Sequence, residues 1–270
     1  MLTSTGGFPP FVQLGYGTGT AWYKESDSGL NSDLVEATKT AVGLGFHHLD
    51  GAEVYCTEPE LGKAIQDCGV AREKLFITTK VNQNVSDIPA ALNASLEKLG
   101  LEYVDLMGGH GTRQSDREGS FYRSIQLPPE PPGDDSRDGG TVVPSVHQIE
   151  YHPYLQHGNL VSWQQSKGIA TVSYSGLTPV TRAAGGPLDQ LLPGFAKKYG
   201  VTPGEILLRW CLDQGVISIT TSSKETRLAS YLRVLTFKLT PQEIEEISAV
   251  GKTHHHRAFW KDKFAEDDRS

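Results

Sequence analysis

Four polar residues in the first 110 positions have the side chains that a proton transfer needs: Asp50, Tyr55, Lys80 and His110. A tyrosine hydroxyl has an ordinary pKa of about 10, and a nearby ammonium lowers that pKa by favouring the phenolate. A carboxylate keeps the ammonium charged, and an imidazole can orient a carbonyl oxygen or share its proton. Together these side chains could complete the reduction of a carbonyl group that receives a hydride.

The same residue types also have plainer explanations. An aspartate often caps a helix or lies on the surface, and a tyrosine often only packs. His110 is surrounded by Gly108, Gly109 and Gly111, and such a stretch is also typical of a loop. Spacing alone does not distinguish a catalytic group from ordinary structural roles. The helices and strands that carry these residues help to distinguish the two interpretations.

Strand-length apolar runs alternate with helical stretches along the chain. The predicted strands are residues 45–50, 74–80, 103–107, 145–150, 170–174 and 216–220. The predicted helices are residues 58–67, 88–99, 159–167, 187–199, 203–213, 226–232 and 241–250. The last helix begins at Pro241, with Thr240 as its N-cap. This alternation is typical of a parallel sheet flanked by helices.

Two architectures compete for this pattern. A doubly wound dinucleotide fold requires a glycine-rich turn that opens a helix after its first strand, and residues 15–20 are glycine-rich but open none. We therefore predict an α/β fold of the (β/α)8 barrel type, with residues 1–270 as one domain. Active sites of such barrels lie where the strands end. That rule selects Asp50, Lys80 and His110, and it places Tyr55 on the loop after Asp50.

Composition limits the possible partners and the compartment. A net charge of −7 argues against nucleic acid or an anionic membrane as the main partner. The three cysteines are an odd number without metal-ligand spacing, and no secretory signal or long apolar span is visible. We expect a soluble cytoplasmic protein. The triplet His254 to His256 is expected to be a solvated loop, so no metal site is predicted.

Residues 111–140 break the strand–helix pattern. They are rich in proline, glycine, serine and charge and have almost no apolar periodicity. They are predicted to form a long loop or a disordered insert. A structureless connection of about thirty residues is uncommon inside a compact barrel, so this segment is the atypical part of the chain.

Several sequence blocks, in one order, resemble the aldo-keto reductase family. The blocks are residues 46–55, 58–65, 75–81, 95–106 and 148–156. The resemblance runs from about Val12 to the C-terminus except over the atypical segment. Residues 176–189 and the tail 257–270 particularly resemble fungal members such as conjugated-polyketone reductases of secondary metabolism.

The resemblance implies an NADPH-dependent oxidoreductase that reduces an aldehyde or ketone, with a dicarbonyl or polyketide-like natural-product intermediate as one candidate substrate. It assigns the catalytic tetrad to Asp50, Tyr55, Lys80 and His110. Tyr55 would donate the proton, Lys80 would tune it, Asp50 would hold Lys80, and His110 would polarise the carbonyl. The partner would be a small molecule, and the protein a monomer or weak homodimer.

The resemblance also assigns the cofactor site. Gln148 would hydrogen-bond the nicotinamide carboxamide and Tyr174 would stack on its ring. Ser222 and Arg227 would grip the 2′-phosphate, because a guanidinium pairs well with phosphate oxygens. Further residues assigned to cofactor binding are Thr18, Ser175, Gly176, Leu177 and Ser223.

Four other positions bear on the cofactor and substrate. The family often has a lysine where this chain has Thr221, and Lys224 could substitute for it. Trp22 and Trp260 match loops that border the family's substrate pocket.

The chain departs from the family between His110 and Gln148, which are only 38 positions apart. The family places there an additional helix and a strand ending in Gly-Val-Ser-Asn, whose Ser-Asn pair also holds the carboxamide. A barrel short of one strand has two exposed edges unless another segment closes it.

Three consequences are open. The chain could fold badly, or it could be a reductase with a rebuilt wall that uses a short strand around Val142 and Val143. It could also have a non-redox role, as a cofactor-independent isomerase, dehydratase or cyclase. A non-catalytic binding subunit is a further alternative.

Overall fold

The computed structural model describes residues 12–82, 86–110, 120–123 and 144–269, with only the backbone of His110 and of residues 120–123. Eight strands form a closed barrel in sequence order, and the first pairs with the eighth. The strands are β1 (Leu14–Gly17), β2 (His48–Asp50), β3 (Phe76–Val81), β4 (Leu106–His110), β5 (Ser120–Arg123), β6 (Val146–Glu150), β7 (Ala170–Tyr174) and β8 (Ile217–Thr220). Seven strands run parallel, so the predicted barrel architecture is confirmed.

Helices surround the barrel in the described part of the chain. They are α1 (Ser32–Leu44), α2 (Glu58–Asp67), α3 (Ile88–Leu99), α4 (Leu160–Ser166), α5 (Thr178–Thr181), α6 (Leu188–Tyr199), α7 (Pro203–Asp213), α8 (Glu225–Leu232) and α9 (Pro241–Lys252). Short 3-10 helices lie at Thr20–Trp22, Glu53–Tyr55, Arg72–Lys74 and Arg233–Leu235. The predicted helices agree with α2, α3 and α7 to the residue and with α4, α6, α8 and α9 within two residues.

Local sequence explains the sharp helix starts. Thr202 and Thr240 each accept a hydrogen bond from the backbone N–H three residues on, and Glu205 and Glu243 reach back to complete capping boxes. Proline follows each cap at the first helical position, where its missing N–H costs nothing. These signals fix where α7 and α9 begin against the barrel.

One strand and one α-helix before residue 45 are missing from the sequence prediction. Strand β1 is hidden by Gly15 and Gly17, which remove the side-chain pattern of a strand. A Cβ at Gly15 would lie 2.5 Å from Cδ1 of Ile219 on β8, so the closing strands approach too closely for a side chain there. Helix α1 did carry a signal, because the Asn31 side chain accepts from the N–H groups of Asp33 and Leu34.

Strand β4 lies three residues later than predicted. Its glycines pair with β3, Gly108 beside Lys80 and Gly109 beside Val81. The glycine-rich stretch is therefore a strand rather than a loop, and His110 is its last residue. This register brings the backbone of His110 to the barrel end where Lys80 also lies.

The atypical segment contains a strand, which corrects its prediction as a structureless loop. Strand β5 pairs antiparallel with both β4 and β6 and fills the gap between them. A parallel strand at this place would need a crossover of a dozen or more residues, whereas an antiparallel one needs only a short return. In the sequence, nine residues separate His110 from Ser120. Val142 and Val143, predicted as a substitute strand, lie outside the described residues, as does the rest of the segment.

The core has two main layers between barrel and helices. One packs α1, α2, α3 and α8 against the first strands, with Tyr16, Phe46, Leu49 and Ile77 fully buried. The other packs α6, α7 and α9 against β6 around Trp210. The layers hold the ends of β2, β3 and β6 in fixed positions, and these ends carry the candidate site.

Candidate active site

Asp50 and Lys80 form a buried ion pair at the ends of β2 and β3. The Lys80 ammonium donates to Asp50 Oδ1 at 2.6 Å and to the carbonyl oxygen of Gly51 at 2.6 Å. The lysine side chain is 1% exposed and the aspartate side chain 6%. Burial alone would lower the pKa of Lys80, but Asp50 and the adjacent Tyr55 outweigh it, so the pKa is raised above that of an ordinary lysine. Lys80 therefore stays an ammonium at neutral pH.

Tyr55 ends the 3-10 helix that follows β2, and it lies against Lys80. The Lys80 ammonium is 5.0 Å from the centre of the Tyr55 ring. The close approach of this ring depends on Gly19, because a Cβ there would lie 2.8 Å from the ring atoms. The ring of Tyr23 lies 5.5 Å from that of Tyr55 on another side.

The ionisation of Tyr55 differs in part from the expectation. The surrounding protein raises the pKa of Tyr55, and the Lys80 ammonium opposes that rise without overcoming it. The sequence predicted the lowering contribution of Lys80 correctly in sign but did not include the larger effect of desolvation. Tyr55 is consequently a neutral O–H donor at neutral pH.

The second oxygen of Asp50 is also engaged. Gln148 Nε2 on β6 donates to Asp50 Oδ2 at 3.1 Å. Thr18, after β1, donates its backbone N–H to the carbonyl oxygen of Asp50 at 2.9 Å, and Thr57 donates to the Thr18 hydroxyl. The cofactor assignments therefore fall on two residues that contact Asp50, Gln148 at its carboxylate and Thr18 at its backbone carbonyl oxygen.

The position of His110 is described by its backbone. Its Cα is paired with Ser120 of β5, and Ser120 is paired on its other side with Gln148. The His110 side chain lies outside the described part of the structure. The backbone nevertheless brings three positions, 110, 120 and 148, to one level at the barrel end.

The loop after β7 forms the next part of the site. Tyr174 ends β7, and Ser175 adopts a left-handed φ of 60° before Gly176 and Leu177. The hydroxyl of Thr178, at the start of α5, is buried and has no hydrogen-bond partner among the described residues. This unfilled donor beside the loop fits a bound polar group.

The residues assigned to the 2′-phosphate lie around the first turn of α8. The Ser222 hydroxyl accepts from the backbone N–H of Lys224 at 3.0 Å. Ser223, Lys224 and Arg227 are exposed. Two cations and two hydroxyls at the positive end of a helix suit a phosphate.

The indole of Trp22 is fixed to the end of β8. Its Nε1 donates to the hydroxyl of Thr221 at 3.1 Å. The threonine at this position thus orients an aromatic ring that the resemblance assigns to the pocket border.

Glu150 is a site residue that the sequence analysis missed. It ends β6, is 2% exposed, and accepts from the backbone N–H groups of Ala258 and Phe259 at 2.8 and 3.0 Å. Phe259 in turn lies edge-on to Tyr174, with 5.6 Å between ring centres. The rule that selects Asp50, a polar residue at a strand end, would also have selected Glu150.

The described residues limit other kinds of site. They contain no group of three histidine, cysteine, aspartate or glutamate side chains that could hold a metal ion. His254 instead packs edge-on against the ring of Tyr154 at 4.7 Å. None of the described helices has the length and apolar character needed to cross a membrane.

Comparison with known proteins identifies the family. The chain matches the aldo/keto reductase family over residues 13–116 and 137–252. The protein therefore belongs to the aldo/keto reductase family, as the sequence blocks predicted. The match is interrupted within the atypical segment, between the parts that carry β4 and β6.

Individual relatives support the same assignment. The chain is 38% identical to the NAD/NADP-dependent indole-3-acetaldehyde reductase of Schizosaccharomyces pombe, over 91% of this chain and 94% of that protein. It is 32% identical to the NADPH-dependent alpha-keto amide reductase of Saccharomyces cerevisiae, over 90% and 88%. Both are fungal reductases, which agrees with the predicted resemblance, while the polyketone subgroup stays a prediction.

Solved structures show the same fold. A Bombyx mori aldo-keto reductase in complex with NADP superposes with a TM-score of 0.70 at 27% identity, covering 88% of each chain. A Brucella melitensis aldo/keto reductase superposes with a TM-score of 0.67 at 27% identity, covering 88% of this chain and 94% of that one.

Proposed function

We propose that the protein reduces the carbonyl group of a small aldehyde or ketone with NADPH, using Tyr55 as the proton donor. The observation that carries this proposal is the buried contact of Asp50, Lys80 and Tyr55 at the end of the barrel. The NAD(P)-dependent carbonyl reductases among its relatives support the reaction class.

The residues present fit the cofactor in three places. Tyr174 offers a ring at the end of β7 for the nicotinamide, with Gln148 near it for the carboxamide. The unpaired Thr178 hydroxyl adjoins the loop of Ser175, Gly176 and Leu177, where polar groups of the cofactor would bind. Ser222, Ser223, Lys224 and Arg227 would hold the 2′-phosphate. When bound, NADPH supplies the hydride.

The protein's own groups complete the reduction. The Tyr55 hydroxyl hydrogen-bonds the carbonyl oxygen and gives up its proton as that oxygen becomes an alkoxide. The phenolate left behind is stabilised by the Lys80 ammonium. Asp50 keeps Lys80 charged and in place, and the side chain of His110 is assigned to polarise the carbonyl.

The substrate class follows from the rings around Tyr55. Tyr23 and Trp22 give this end of the barrel an aromatic lining that suits an apolar carbonyl compound. Two relatives are named for the reduction of indole-3-acetaldehyde and of an alpha-keto amide, and both of these are carbonyl compounds. We extend this to aromatic aldehydes and dicarbonyls as the compounds to assay.

The test compares two tyrosines that differ by one hydroxyl. Tyr55→Phe should lower kcat for phenylglyoxal reduction by about 10²- to 10⁴-fold, which is the usual contribution of a positioned acid. Tyr23→Phe is the matched control, because its ring adjoins Tyr55 but is assigned no proton transfer, and it should keep kcat within a few-fold. NADPH oxidation is followed by absorbance, and NADPH binding by fluorescence quenching should persist in both variants.

Two results would contradict the proposal. One is undiminished activity of Tyr55→Phe. The other is conversion of a carbonyl compound without NADPH binding or oxidation, which would favour the cofactor-independent isomerase, dehydratase or cyclase instead.

A further inference from the structure

Glu150 is a buried acid that the reaction itself does not use. Its Oε1 accepts from the N–H of Ala258 at 2.8 Å and lies 3.0 Å from Nε2 of His152, and its Oε2 accepts from the N–H of Phe259 at 3.0 Å. Burial lowers the pKa of His152, so this imidazole is neutral and donates from Nε2. Three donors, two of them from the C-terminal tail, therefore converge on one carboxylate.

The tail segment that Glu150 holds carries two aromatic residues to the site. Phe259 lies edge-on to Tyr174, and the guanidinium of Arg182 stacks on Phe259 at 4.8 Å from the ring centre. The next residue, Trp260, adopts a left-handed φ of 58°, and its side chain partly opposes the rise that burial causes in the pKa of Tyr174. A left-handed tryptophan is strained and persists only where its surroundings fix the chain. The two hydrogen bonds to Glu150 lie immediately before it.

We propose that Glu150 is a positioning residue that holds the tail so that Phe259, packed edge-on against Tyr174, and Trp260 form the wall on which an aromatic carbonyl substrate packs. This inference rests on the proposed function. The pocket for a bulky ring exists only while the tail is in place, whereas a small carbonyl compound needs only Tyr55 and the cofactor. Glu150 therefore sets specificity from a place that the substrate does not contact.

The chemistry of the contact explains why a close substitute should fail. A glutamine has one acceptor oxygen, which can serve Ala258 and His152, but its NH2 group then faces the N–H of Phe259, a donor against a donor. Glu150→Asp keeps the charge but withdraws the carboxylate by about one C–C bond, roughly 1.5 Å, out of reach of both tail amides. Both variants should release the tail, although only one changes the charge.

The first arm of the test measures the tail without activity. Lys261 and Lys263 follow the held residues and offer sites for trypsin. Glu150→Gln and Glu150→Asp should be cut at these lysines at least tenfold faster than the parent chain. Glu266→Gln is the matched control, because it makes the same chemical change at an exposed residue of the same tail. Unchanged cleavage in both Glu150 variants would overturn the proposal.

The second arm measures specificity as kcat/KM for phenylglyoxal divided by kcat/KM for methylglyoxal. Glu150→Gln should lower this ratio about tenfold, through KM for phenylglyoxal and with little change in kcat. Phe259→Ala, which leaves Glu150 intact, should lower it similarly, and the double variant should be no worse than either single one. Additive effects would overturn the proposal, since Glu150 would then act by a route other than the tail.

The two arms separate failure of this inference from failure of the proposed function. If the parent chain reduces neither compound, the proposed function fails, and the proteolysis arm still judges whether Glu150 holds the tail. If Glu150→Gln does not fold, Phe259→Ala alone tests the specificity. An unchanged ratio of kcat/KM for phenylglyoxal to that for methylglyoxal in Phe259→Ala would then contradict the proposed aromatic wall.

Discussion

Lys80 keeps a positive charge almost entirely out of water because Asp50 and the carbonyl oxygen of Gly51 surround it. Such a buried ion pair contributes little more to the free energy of unfolding than an apolar pair of the same shape would. Removing one member alone, however, leaves an uncompensated buried charge. The arrangement is therefore suited to tuning a neighbour rather than to stabilising the fold. Tyr55 is that neighbour.

This view predicts how single and double variants of the pair differ. Lys80→Met should lower the free energy of unfolding by about 3 kcal/mol, since Asp50 keeps only Gln148 as a donor. The double variant Asp50→Asn with Lys80→Met should recover part of that loss. Lys63→Met, which breaks the exposed Lys63–Asp67 pair, is the control and should cost about 0.5 kcal/mol or less. Urea unfolding measures all three, and a Lys80→Met protein as stable as the parent would refute the account.

The pH dependence has a defined sign. Because the folded pKa of Lys80 is raised, its contribution to stability is fully present below the ordinary lysine value and is lost as the pH rises through the folded pKa. The difference in stability between the parent and Lys80→Met should thus stay constant from pH 6 to 9.

Arg227 should decide the choice between the two nicotinamide cofactors. It is exposed in the first turn of α8, and its guanidinium would contact only the 2′-phosphate, which NADH lacks. Arg227→Ala should raise KM for NADPH about tenfold or more, the loss of one charge-assisted pair, and leave KM for NADH within two-fold. Lys238→Ala removes an equally exposed cation elsewhere and should change neither. An equal effect of Arg227→Ala on both cofactors would count against this placement.

At the scale of elements, the sequence predicts those parts whose local pattern agrees with the final fold. Strand β7 is predicted to the residue because Ala170–Tyr174 alternates Ala, Val and Tyr with Thr and Ser, and Asp50 and Lys80 are found because they end predicted strands. Strand β1 and the true position of β4 are obscured by glycines. The glycines of β1 lie where Ile219 of β8 approaches closely, whereas a Cβ at Gly109 of β4 would meet nothing within 4 Å. Strand β5 could not be predicted, because its place depends on two partners distant in sequence rather than on its own pattern.

Strand β5 closes the barrel through its backbone, and a proline tests this. Tyr122 is paired with Gly108 of β4 and with Val146 of β6, so its N–H lies inside the sheet. Tyr122→Pro removes that donor and should lower the free energy of unfolding by about 2 kcal/mol or more. Tyr122→Val keeps the N–H and a residue that favours strands, and should cost clearly less. Equal stability of the two variants in urea unfolding would mean that β5 does not close the barrel.

Two contacts close the barrel. Strand β1 pairs with β8, and the antiparallel β5 joins the arc of parallel strands β1 to β4 to the arc of parallel strands β6 to β8. We therefore predict that the chain unfolds as one domain, with a single calorimetric transition whose van't Hoff and calorimetric enthalpies agree. NADPH at about 100 times its Kd should stabilise the folded state by about 2.7 kcal/mol and raise Tm by roughly 5 to 10 °C. The proposed cofactor residues lie on β6, β7 and α8, whereas the Asp50–Lys80 pair lies on β2 and β3. If the barrel unfolds as one unit, NADPH should therefore shift the single transition of the entire domain to higher temperature. Two transitions, of which NADPH shifts only one, would show that β5 fails to join the arcs and that the barrel behaves as two halves.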